Sequence, residues 1–213
     1  MAFIIDSVAA LIAEKSYLIE YILHPLMTFG DSEKEAHLFV QLGRRLTDAQ
    51  IAELKADLGQ VISDVRNGTR DWLDIRAVVK SSLDQLASAP GISDEERQEY
   101  LEFINYIYED NFTLLGARRY TVSGTGKETR TTLVKGSGLG LLREDKSASC
   151  LGGEEMDFIH NQTVKAKLGP VFITKLSRKS TVHRRVPLDA ITIRQYDPKG
   201  RLSGDCLLYT SSV

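Results

Sequence analysis

Two cysteines, Cys150 and Cys206, are all that this chain of 213 residues contains. They make neither a disulfide framework nor a metal-ligand spacing, and read as reduced thiols. The four histidines, His24, His37, His160 and His183, are scattered. They read as packing or hydrogen-bonding residues rather than ligands. Neither sign of charge dominates: 27 Lys and Arg against 29 Asp and Glu leave a net charge of -2 and a pI near 6.1. That balance lacks the basic surplus of a nucleic-acid binder. No apolar run approaches the length that crosses a bilayer. The first residues lack the basic flank and cleavage pattern of a secretory signal. The expectation is a cytoplasmic chain without membrane or nucleic-acid partners. A Gly-x-Ser-x-Gly elbow, tandem repeats and low-complexity tracts are missing too, so nothing raises the standing of a hydrolytic triad.

What is present is ordinary in amount and informative in order. Hydrophobic residues are 42% and charged residues 26% of the chain, the balance of a globular protein with one large domain or two small ones. Phe3, Ile4, Ile5, Val8, Leu11 and Ile12 recur at helical spacing. Residues 17–24 and 36–42 read as strands, broken at Pro25 and separated by a turn at Gly30 and Asp31. Thr47 and Gln50 form a capping box. Ile51, Leu54, Leu58, Val61, Ile62 and Val65 then share one helical face. Helix, strand, strand, helix over 1–66 is the order of an α/β sandwich of the ferredoxin or ACT type without its first strand.

Residues 67–110 read as a helical connector. Asn67 and Gly68 mark a stop or kink, since glycine costs about 1 kcal/mol inside a helix. Trp72, Ile75, Val79, Leu83 and Leu86 mark a helix closed by Pro90 and Gly91. Ser93 and Glu96 form a second capping box before Tyr100, Phe103, Ile104 and Ile107. The aromatic stripe reads as the covering of a core. Over 111–213 strands are expected at 112–122, 131–135, 139–142, 171–176, 190–196 and 202–209. A hairpin signal lies at 124–126, a turn at 197–200 and a helix at 155–164. The chain starts inside a helical pattern without a preceding cap and stops just after a strand, which reads as a partial chain. The expected fold class is α+β: a partial ACT- or ferredoxin-like sandwich, a helical connector and a second strand-rich α/β module cut short at its C-terminus.

Two segments invite a chemical reading. Gly136, Gly138 and Gly140 suggest nucleotide binding but fail its patterns. The dinucleotide fingerprint needs glycine at 141, where Leu141 stands, and a P-loop needs Lys and Ser or Thr where Leu141 and Leu142 follow. A tight structural loop is the simpler reading. The second segment, 174–185, carries five Lys or Arg, four hydroxyls and an imidazole. If it is extended, Lys175, Ser177, Lys179, Thr181, His183 and Arg185 share one face. Leu176, Arg178, Ser180, Val182 and Arg184 share the other. Arg178, Lys179, Ser180, Thr181, His183 and Arg184 are the candidates to hold an anion or an amino-acid carboxylate. A solvated cationic loop, or one that pairs with acidic residues of a neighbouring domain, fits the same residues.

Several blocks carry a resemblance. Phe3 to Val8, with Ala2 in place of a proline, the step His24-Pro25, Asp64 to Arg66, Asp71-Trp72, Asn111 to Gly116, Gly136 to Gly140 and Ser180 to Arg184 stand in one order. Together they resemble the N-terminal region of the large bacterial NAD-specific glutamate dehydrogenases. The resemblance implies ACT-like modules over 1–66 and 111–213 joined by helices. It implies a regulatory or assembly segment that precedes the catalytic part. The parent reaction would convert L-glutamate and NAD to 2-oxoglutarate, ammonium and NADH. No catalytic, metal or cofactor-binding residue is carried over to this segment, and NAD belongs to the parent enzyme. The implied partners are the catalytic part of the parent chain, an amino-acid effector and further copies of the chain. A freestanding amino-acid- or anion-binding module is the alternative, and an unrelated small enzyme using His183 or His160 is the third reading.

Overall fold

The apolar pattern at the start of the chain becomes helix α1, Ile4–Glu14, whose Val8, Leu11 and Ile12 are buried. The structure is a computed structural model, and it describes residues 3–28, 30, 34–124, 128–143 and 169–212. Cys150, His160, the helix expected at 155–164 and the tip of the 124–126 hairpin lie outside the described residues. By internal contacts the chain divides into two units. The first is Met1–Arg66 with Ser180–Arg185, and the second is Asn67–Lys179 with Val186–Val213.

In the first unit, α1 is followed by β1 (Ile19–Leu23), β2 (Leu26–Met27), β3 (Glu35–Ala36), β4 (Phe39–Leu42) and helix α2 (Asp48–Arg70). Strands β1 and β4 pair antiparallel, with Ile22 opposite Val40 and Leu23 opposite Phe39. A second small ladder joins β2 to β3. The strand expected at 36–42 is therefore two short strands that serve different ladders. One face of the β1–β4 hairpin supplies Ile19, Val40 and Leu42 to a small core around Val8, Ile12 and Tyr17. Leu54 and Leu58 of α2 pack on the same core. Lys15, at the end of α1, lies 2.6 Å from both Glu53 and Asp57 of α2. Hydrogen bonds to these two carboxylates raise its pKa.

Helix α2 opens on the expected capping box: Gln50 N donates to Thr47 Oγ1, and Thr47 N donates to Gln50 Oε1. It does not stop at Asn67 and Gly68. The helix runs to Arg70, and only Asp71 separates it from α3, Trp72–Leu86. A single glycine penalty of about 1 kcal/mol is small against the propagation of a long helix. The interruption falls instead where the Asp71 side chain is engaged elsewhere in the second unit.

That unit continues with α4 (Asp94–Tyr106) and a π-type turn (Ile107–Asn111), in which Asp110 takes φ 64°. Both arms of the Ser93–Glu96 capping box are present. Arg97 Nη1 donates to Ala87 O and Ala89 O, satisfying carbonyls beyond the end of α3. The strands are β5 (Phe112–Ser123), β6 (Arg130–Leu133), β7 (Leu139–Gly140), β8 (Val171–Lys179), β9 (Pro187–Tyr196) and β10 (Leu202–Ser212). They form one antiparallel sheet in the order β6-β5-β10-β9-β8, with β7 also paired to β5. Its helix-facing side and the helices share one core. Ile75, Val79, Leu86 and Ile104 meet Leu114, Ala117, Ile191, Ile193, Cys206 and Leu208. The turn between β9 and β10 closes through Gly200 N to Asp197 O, as the sequence reading expects. Among the described residues no helix is long and apolar enough to cross a membrane.

Candidate functional site

The cationic segment is not one extended face. Alternation is lost before β8 ends: its pairing with β9 shifts register between Lys175 and Lys179, and Ser177, Arg178 and Lys179 are all exposed. Within β8, Lys175 pairs with Asp189 of β9 at 2.7 Å. Arg178 and Lys179 close the strand, exposed, in the second unit. From Ser180 the chain turns, and Ser180 to Arg185 belong to the first unit. Of the six candidates, Arg178 and Lys179 thus stand in one unit and Ser180, Thr181, His183 and Arg184 in the other.

The turn at 180–185 is built by its own hydroxyls. Ser180 is fully buried, and its Oγ accepts from Val182 N at 3.1 Å while donating to Val182 O at 2.7 Å. Val182 is buried beside it. Thr181 Oγ1 donates to Asp64 Oδ2 of α2 at 2.6 Å, and Asp64 Oδ1 accepts from Gln60 Nε2 at 2.9 Å. His183 takes φ 66°, a left-handed conformation that a non-glycine residue adopts at a cost. It is held there because its N–H donates to Ser7 Oγ at 2.8 Å and its ring lies 5.1 Å from that of Phe3. Arg185 Nε lies 3.3 Å from Glu14 Oε2. Arg184 is exposed. The hydroxyls of Ser180 and Thr181 are therefore occupied, and Arg184 is the exposed cation of the turn, while Arg178 and Lys179 are exposed at the end of β8 in the other unit.

The glycine loop is explained in the second unit. Gly140 has φ 59°, and a Cβ there would fall well inside contact distance of Leu115 O; a Cβ on Gly138 would do the same to Leu142 O. Gly140 lies opposite Gly116 in the β5–β7 ladder. Its N–H donates to Asp71 Oδ2 at 2.8 Å, and Arg143 donates to both Asp71 oxygens, Nε to Oδ2 at 2.6 Å and Nη2 to Oδ1 at 2.7 Å. Burial by itself would raise the pKa of this carboxyl. The bonds from Arg143 and Gly140, with the charge of Arg143 and Arg70 nearby, outweigh it and hold the pKa below the usual value. An amide that could have met a phosphate thus already serves a carboxylate, whose charge would repel an anion. Asp64 and Asp71, the two acids on which these arrangements turn, were not among the sequence candidates. They do stand in the Asp64 to Arg66 and Asp71-Trp72 blocks.

No group of three or more His, Cys, Asp or Glu among the described residues could hold a metal ion. The fold class is α+β, a helix-and-hairpin unit and a helix-covered antiparallel sheet. No protein-family model matches the chain. The chain resembles NAD-specific glutamate dehydrogenases. It is 25% identical over 208 residues to the enzyme of that name from Halomonas elongata, covering 94% of this chain and 12% of the relative. It is 26% identical over 191 residues to the one from Pseudomonas aeruginosa, covering 86% of this chain and again 12% of the relative. The chain thus spans about an eighth of the length of the curated proteins it matches.

Proposed function

We propose that this chain is a regulatory or assembly segment of an NAD-dependent glutamate dehydrogenase and does no chemistry itself. The observation that carries the reading is the match along nearly the whole chain to proteins of which it covers 12%. The rest of such an enzyme would bind NAD and convert L-glutamate to 2-oxoglutarate, ammonium and NADH in the cytoplasm. The engagement of Gly140 N by Asp71 supports the absence of a nucleotide site in the glycine loop. Within this reading, 1–66 and 111–213 are ACT-like modules joined by the helices of 67–110. The helix, hairpin, helix order of the first unit supports the first of them. Exposed Arg184 in the first unit, and separately exposed Arg178 and Lys179 in the second, would each meet an amino-acid carboxylate or an acidic surface of the catalytic part. Charge-assisted bonds to carboxylates are the strong kind.

The test is a comparison of the chain alone with a full-length relative. The purified chain should reduce no NAD in the presence of glutamate. Deleting the matching segment from the relative should change its assembly or its response to amino acids. Turnover by the chain alone, or a deletion without effect on either property, would overturn the proposal. A second reading, a freestanding anion- or amino-acid-binding module, is favoured by the same three cations. It predicts calorimetric binding of an amino acid to the isolated chain, lost in Arg184→Ala.

A further inference from the structure

We propose that the outer edge of β8 takes up an extended acidic peptide as an added strand, with an apolar side chain of that peptide seated between β8 and α4. Among the described residues β8 is the outermost strand of its sheet, paired with β9 alone. Every second amide and carbonyl of such a strand points away from its neighbour, so the edge is a template for a further chain. This edge is not uniform along its length. At its start Tyr100 and Phe103 of α4, with Val171, Phe172 and Ile173 of β8, line an open cleft of about 410 Å³ that has Glu99 on its wall. Ile173 stays half exposed there. Strand addition uses both features: ladder bonds supply affinity, and a hollow beside the ladder selects a side chain.

Charge decides the occupant. β8 carries Lys175, Arg178 and Lys179 and no carboxylate. All three cations are exposed, and Lys175 holds the buried Asp189 at 2.7 Å. At roughly 3.3 Å per residue, Lys179 ends the strand about 20 Å from Ile173. The segment that fits is therefore extended, with a large apolar side chain at one end and carboxylates at the other.

A second copy of β8 does not meet that description. In a full-length antiparallel pair about a twofold axis, Lys175 faces its own copy, and like charges directly opposite are destabilising. Basic residues on an edge guard it against its own kind and leave it open to an acidic strand. The peptide site shares Arg178 and Lys179 with the proposed function. It does not rest on the chain's being part of a glutamate dehydrogenase.

A labelled peptide, blocked at both ends, tests this. It has a pair of Glu at its N-terminal end, alternating Val and Thr, and Phe at its C-terminal end, the order that antiparallel pairing requires. Titrated into the whole chain and followed by fluorescence anisotropy, it should bind saturably. Exchanging its Glu for Lys, or combining Arg178→Glu with Lys179→Glu in the protein, should weaken binding by about tenfold or more. N-methylation of every second peptide amide should abolish binding for one of the two alternating sets and spare it for the other. Should the protein variant fail to fold, hydrogen exchange of the wild-type chain reads the same edge: amides of 171–177 should slow when the peptide is added. Absence of saturable binding overturns the proposal. So does binding indifferent to the exchange of Glu for Lys, or to N-methylation of either set. Protection of 171–177 that rises with the concentration of the chain alone, the mark of a second copy at this edge, overturns it too.

Discussion

At Asp71 a buried carboxylate accepts from a backbone N–H and from two nitrogens of one guanidinium. Removing one member of such a pair leaves the other uncompensated, so Asp71→Ala should cost about 3–5 kcal/mol in denaturant unfolding. The pH dependence has a definite sign. The folded pKa lies below the ordinary aspartate value, so the folded state takes up this proton less readily than the unfolded one. The stabilisation is complete above the unfolded value of about 4 and is lost as the pH falls through the folded value. Unfolding at a series of acidic pH values should show the wild type losing stability more steeply than Asp71→Asn. Cys206 makes a second prediction at this scale. Burial pushes its thiol up to about 11, with the Ser82 hydroxyl pulling it partly back. A thiolate-directed reagent at neutral pH should leave Cys206 unlabelled in the native protein and label it on unfolding, as peptide mapping would show.

Among the elements, glycines of the same type should give opposite results. Gly140→Ala meets both a left-handed backbone and the carbonyl of Leu115, and should destabilise the sheet by more than about 1 kcal/mol. Gly59 lies exposed in the middle of α2 with nothing within 4 Å of an added Cβ. Gly59→Ala should raise stability by about 0.5–1 kcal/mol. Thermal unfolding of the two variants tests both. What the sequence allowed at this scale follows from distance along the chain. The capping boxes at Thr47 and Ser93 were legible because each is complete within four residues. Strands β9 and β10 were legible from their apolar runs. The end of α2 was not, because glycine propensity is local whereas the break at Asp71 accompanies bonds to Gly140 and Arg143. The turn at Ser180 was hidden in the same way: its anchors, Asp64 and Ser7, lie 117 and 176 residues from their partners Thr181 and His183.

On the scale of the whole molecule, the two units differ in what they bury. The cluster in the second unit draws on α3, α4 and four strands, while the cluster described in the first centres on Val8, Ile12 and Tyr17. Local opening follows burial. Amides of α1, β1 and β4 should therefore exchange with deuterium earlier than those of β9 and β10, and equal protection in both sets would contradict this account. The candidate site was legible only in part. The residue types of 178–185 pointed to an anion or an acidic surface. Their division between a strand end and a turn with occupied hydroxyls depends on contacts that no local pattern encodes. The α+β class, by contrast, followed from element order alone.

Ser180–Arg185 completes the first unit from far along the chain, and this has a consequence for biosynthesis. A nascent polypeptide leaves the ribosome N-terminus first, and domains generally fold as units as they emerge. Met1–Arg66 cannot finish in that manner. Until residue 181 has been added, Asp64 lacks its threonine, and until residue 183 has been added Ser7 Oγ has no His183 N–H to receive. Residues 1–66 therefore reach their final form only after residue 183 has been added, so a cooperative unit in this chain closes across more than a hundred residues of intervening synthesis.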